Sequence, residues 1–80
     1  MPQQEATART PARTEKYARV LDAQIKQALD RNDSSQLRLL AERALGAYFV
    51  TGCARLSHLA QVAHHSADHV RRQRRLRHVH

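Results

Sequence analysis

The sequence predicts an all-α protein built as an antiparallel helical hairpin, with a short helix over about 12–31 and a long one over about 35–72. Three observations carry this expectation. Apolar residues recur at three-and-four spacing through most of the chain. One cluster of turn-forming residues, Asn32-Asp33-Ser34-Ser35, divides them. Between Gln36 and Arg72 there is neither a proline nor a second such cluster.

The short helix has two candidate starts, Thr10-Pro11 and Thr14-Glu15. Threonine caps helix N-termini well, and proline suits the first helical turn, where its missing N–H is not needed. Tyr17, Val20, Leu21, Gln24, Ile25, Ala28 and Leu29 then form a stripe, with charge on the opposite face. Glu15–Arg19 and Asp22–Lys26 stand in the favourable i,i+4 order.

Asp33, with Gln36 three residues on, resembles a capping box and starts the second helix. Its apolar line runs through Leu37, Ala41, Ala44, Tyr48, Gly52, Leu56, Leu59, Ala63, Ala67 and Val70. The steps average about 3.67 residues, the period of an 11-residue repeat, which keeps its seam on one side of a nearly straight helix. Such a helix would be roughly 55 Å long at 1.5 Å per residue. Started at Glu15, the short helix has about 17 residues and would cover under half of it. The uncovered part of the seam, from Leu56 to Val70, would then need a second chain, so the expected state is a homodimer. Tyr48, Phe49, Gly52, Leu56, Leu59, Ala63 and Val70 are the expected interface. Gly52 falls on the seam, where a bare backbone lets helices approach. Gly46 and Gly52 each cost about 1 kcal/mol in a helix interior, so a kink near Gly52 is allowed for. The alternative is a three-helix bundle in which Thr51-Gly52 ends the second helix.

The chain is thus one small domain over 11–72. A disordered N-terminal segment, 1–10, precedes it, and a basic, partly frayed tail, 73–80, follows. At eighty residues a fold buries only about 60% of the surface its unfolded chain exposes. The single cysteine, Cys53, excludes an intrachain disulfide and a zinc-finger set and reads as a buried structural thiol. The N-terminus lacks the apolar core of a secretory signal, and no run approaches a membrane span. A soluble, cytoplasmic protein that does not enter the membrane is expected.

Charge is the strongest compositional fact. Fourteen Lys and Arg against seven Asp and Glu give a net charge of +7. Residues 1–52 hold eight basic and six acidic side chains; residues 53–80 hold six and one, together with all six histidines. This asymmetry points to a polyanion: nucleic acid, duplex DNA first, or an acidic protein surface. Arg71, Arg72, Arg74, Arg75 and Arg77 begin where the apolar seam ends and are the candidate phosphate contacts. The tail has no aromatic residue, which argues against stacking on single strands.

The stretch from Leu56 to Leu76 is similar to the helix-turn-helix pattern. Ala60 and Val70 stand ten apart, with Leu59 and Ala63 apolar. It departs at His64, His65 and Gln73. The resemblance would make Ser66 or Ala67 the start of a recognition helix, with Asp68, His69, Arg71 and Arg72 facing the major groove.

His58, His65 and His69 fall within about 40° of one another on a helical wheel. His65 and His69 have a two-ligand spacing, but no third ligand or HExxH base accompanies them, so neither a metal site nor a cofactor is expected. A charge response below about pH 6.5 is the plainer use for such a cluster. No nucleophile, paired-carboxylate or phosphate-loop motif is present, so no enzyme is expected. The sequence reads as a small nucleic-acid-binding protein of accessory or regulatory type. The alternative is a protein–protein interaction module, such as a helical adaptor, a secretion chaperone or a phage-encoded inhibitor of a host protein.

Overall fold

A computed structural model describes residues 12–78, with side chains through Leu76. The expected disordered segment 1–10, the side chain of Arg77 and the last two residues of the tail lie outside the described residues. Three helices follow one another: α1 Ala12–Asp30, α2 Ser34–Thr51 and α3 Ala54–His78. No strand occurs among the described residues.

α1 begins with Glu15 in its first turn, where a carboxylate complements the helix dipole. The expected Asp22–Lys26 pair forms at 3.3 Å. The buried face is Thr14, Ala18, Leu21, Ile25 and Ala28. Tyr17 and Val20, expected on that face, are 40% and 46% exposed. The helix is turned so that Thr14 and Ala18 face inward, and small side chains there let α1 lie close to its neighbours.

The α1–α2 turn ends one helix and starts the next. Asn32, at φ 53°, is the left-handed residue, a conformation that asparagine tolerates better than most side chains. Its N–H donates to the Leu29 carbonyl, and the Asp33 N–H donates to that of Ala28, a Schellman closure. The Asp33 carboxylate then accepts from the Gln36 N–H at 3.0 Å and caps α2, as its position in the sequence implied.

The long helix over 35–72 is not continuous: it breaks at Gly52-Cys53, and the three-helix arrangement is the one adopted. Gly52 has φ 70°, a left-handed conformation closed to most side chains, and its N–H donates to the Tyr48 carbonyl at 2.7 Å. The Thr51 hydroxyl donates to the Ala47 carbonyl and accepts from the Cys53 N–H, tying off the turn. At the start of α3 the Cys53 carbonyl accepts from the N–H of Leu56 and of Ser57. A Cβ placed on Gly52 would meet nothing within 4 Å, so the glycine serves backbone conformation and not close helix approach.

One core unites the helices. Leu37, Leu40, Ala41 and Ala44 of α2 and Leu56, Leu59, Ala60, Ala63, Ala67 and Val70 of α3 pack with the buried face of α1. α2 and α3 form the principal pairing, and α1 packs on both. Each buried Leu, Ile or Val contributes about 1.5–3 kcal/mol relative to exposure. The seam expected to await a second chain is therefore covered by the chain itself. Leu56, Leu59, Ala63 and Val70 are buried inside it.

Candidate functional site

α3 runs unbroken from Ala54 to His78, so the helix-turn-helix reading is corrected: no turn interrupts the chain at His64-His65. The same continuity carries the arginines on a rigid helix that extends past the last core residue, Val70.

Helical geometry divides the arginines into two kinds. Arg74 lies one turn beyond Val70 on the line that faces the core. Its guanidinium donates to the Asn32 carbonyl at 2.9 Å, so it clasps the end of α3 to the α1–α2 turn. Arg71, Arg72 and Arg75 stand on the adjacent side with Asp68, within about 100° at 3.6 residues per turn. These four line a shallow groove of about 230 Å³, and the three arginines are exposed. Asp68 is the one carboxylate in that lining, and its ion-pair neighbour is the His64 imidazole at 3.9 Å, not an arginine. Three guanidinium groups thus share one groove with a single carboxylate. Their mutual repulsion is relieved by an anion placed between them.

A larger groove, of about 430 Å³, opens between α2 and α3. Ala41, Leu45 and Ala60 form its apolar part, and Arg38, Glu42, Ser57, Gln61, His64 and His65 its polar lining. Beyond it, Phe49 and Val50 are 76% and 86% exposed. Phe49 stacks in a tilted pair with the half-buried Tyr48, ring centroids 5.8 Å apart, and is exposed. Gly52, expected at an interface, is exposed in the turn. Of the residues expected to meet a partner chain, Phe49 and Gly52 are exposed and Tyr48 is half-buried; Leu56, Leu59, Ala63 and Val70 belong to the core.

His58, His65 and His69 do share the outer face of α3 and are exposed. Among the described residues no group of three His, Cys, Asp or Glu is placed to hold a metal ion. Cys53 is a free thiol, half-buried against the core at the α2–α3 turn. No described helix is long and apolar enough to cross a membrane. No family model, curated protein or solved structure matches the chain.

Two features lay beyond the sequence pattern. The role of Arg74 depends on a contact with a residue 42 positions away. The apolar strip Leu45–Phe49 was visible as an i,i+4 pair, but the same spacing also describes a core face.

Proposed function

We propose that the protein is a small, non-enzymatic, cytoplasmic nucleic-acid-binding protein of accessory or regulatory type. It holds duplex DNA phosphates in the groove formed by Arg71, Arg72 and Arg75. The observation that carries this reading is the convergence of three exposed guanidinium groups beside one carboxylate. Arginine suits the task, since its fork of donors matches phosphate oxygens and its charge is permanent. Contacts of this kind fix affinity and position and carry little sequence selection. Arg74 is left out of the phosphate set because the fold already uses it.

A salt series tests the reading. Three phosphate contacts give a slope of log affinity against log salt near −3, at about −0.9 per contact on duplex DNA. The double variant Arg71→Ala/Arg75→Ala should bring the slope near −1. If its affinity and slope match those of the unaltered chain, the arginine groove is not the site.

The exposed pair Leu45 and Phe49 favours a second reading, a protein–protein interaction module docking beside the α2–α3 groove that Leu45 lines. The homodimer expected from the sequence would form through this pair, since the chain's own core occupies the original seam.

A further inference from the structure

His58, Val62, His65, His69, Arg72 and Leu76 follow one another along α3 at alternating steps of four and three. That alternation averages close to 3.6 residues, so the six side chains form one straight ridge. All six are exposed, and the ridge passes beside Arg71 and Arg75 at its C-terminal end. From His58 to Arg72 it spans about 21 Å at 1.5 Å per residue. A DNA strand presents a phosphate about every 3.4 Å of axis, so this length faces roughly six of them.

The charged surroundings of the ridge are sparse. His64, one position off the line, has Asp68 at 3.9 Å. Among the described residues no carboxylate stands within ion-pair distance of His58, His65 or His69. From α2, Arg38 and Glu42 line the groove that His65 also borders, one of each sign. No α1 residue lines that groove or the arginine groove. Within α3, Arg72 is the ridge's own fixed positive charge. Protonation of these three imidazoles therefore adds positive charge to the helix that carries Arg71, Arg72 and Arg75, with no carboxylate within ion-pair distance of any of the three.

We infer that this ridge is a second, protonation-dependent part of the nucleic-acid site: the phosphate backbone lies along α3 from Arg72 toward His58 and meets His58, His65 and His69 as imidazolium. The inference rests on the arginine-groove reading above and extends its footprint from about one helical turn to about four. Histidine is the side chain that ordinarily changes charge between about pH 5 and 8, so the arginines hold the ligand throughout and the ridge joins as pH falls. Binding then takes up protons, and affinity rises with acidity.

The test is a salt series on the full chain with a random-sequence DNA duplex longer than the ridge, run at a mildly alkaline and a mildly acidic pH. The slope should steepen from near −3 to about −5 or −6 on acidification, as three further phosphate contacts form. The triple variant His58→Gln/His65→Gln/His69→Gln should keep the alkaline slope and lose the increment, with its helix content unchanged by circular dichroism. Equal slopes at the two pH values, or an increment that survives in the triple variant, would overturn the ridge while leaving the arginine groove standing. An alkaline slope that does not flatten in Arg71→Ala/Arg75→Ala sinks the groove reading and, with it, the ridge. Polyglutamate showing the increment where DNA shows none would assign the ridge to an acidic protein and equally overturn the proposal.

Discussion

The Arg74 guanidinium donates to the main-chain carbonyl of Asn32 at 2.9 Å, joining residues 42 positions apart. Asn32 is the left-handed residue that terminates α1, and Arg74 is the first residue on the core-facing line of α3 beyond Val70. The bond therefore fastens the outer end of α3 to the turn between the other two helices. Because it is exposed, water competes for both partners, and its net worth is at the low end of hydrogen bonds to charged groups. Arg74→Ala should lower the unfolding free energy in urea by about 0.5–1 kcal/mol. Arg71→Ala and Arg72→Ala should fall within about 0.5 kcal/mol of the unaltered chain. Equal urea midpoints for Arg74→Ala and Arg72→Ala would show that the clasp contributes nothing.

The two glycines should respond oppositely to alanine. Gly46 lies inside α2, exposed, with open space where a Cβ would go, so Gly46→Ala removes a helix-interior glycine and should stabilise by up to about 1 kcal/mol. Gly52 has equally open space but φ 70°, so Gly52→Ala places a side chain in left-handed backbone and should cost about 1–2 kcal/mol. Thermal unfolding of both variants decides it. If both shift the midpoint the same way, the turn does not depend on the left-handed conformation.

Leu59 separates a core from an interface. It packs among Leu56, Ala60 and Ala63 within one chain, so Leu59→Asp buries a carboxylate with no partner. The expected result is loss of cooperative folding in all three helices, read as lost far-ultraviolet circular dichroism at ordinary temperature. Had the seam been the surface of a hairpin, the same change would only have dissociated a dimer and left α1 helical. Retention of a folded monomer by Leu59→Asp would contradict the packing described here.

The inward positions of α2 and α3 were legible because three-and-four spacing reports the buried face directly, from Leu37 to Val70. The break at Gly52 was hidden for the same reason. Tyr48, Gly52 and Leu56 stand four apart, so the apolar phase continues across a turn that ends one helix and starts another. The sign that it ends there is the Thr51-Gly52 pair: a hydroxyl able to close onto Ala47 and a residue free to take positive φ. The start of α3 carries no such sign, since Cys53, the residue before it, has no capping oxygen in its side chain. In α1 the stripe was displaced toward Thr14 and Ala18, because the choice between neighbouring faces is made by the fit against α2 and α3 and not by hydropathy. For the candidate site, the concentration of arginines was plain from the sequence. Which of them the fold uses was not, since that depends on where the Asn32 carbonyl comes to lie.

Phe49 tests whether the α2–α3 groove also serves association. At 76% exposure it contributes little to the core, so Phe49→Asp should leave the urea unfolding free energy within about 0.5 kcal/mol. Its ring nonetheless adds apolar area one turn from Leu45, and exposed apolar area of this kind favours contact with another protein surface. Sedimentation at rising concentration should show the unaltered chain gaining mass and Phe49→Asp remaining at the monomer mass. The arginine groove lies on α3, outside the lining of the larger groove, so the variant should keep its salt-dependent affinity for duplex DNA. An unaltered chain that stays monomeric throughout would remove self-association from the second reading. Lost DNA binding in Phe49→Asp would show that the two surfaces are one.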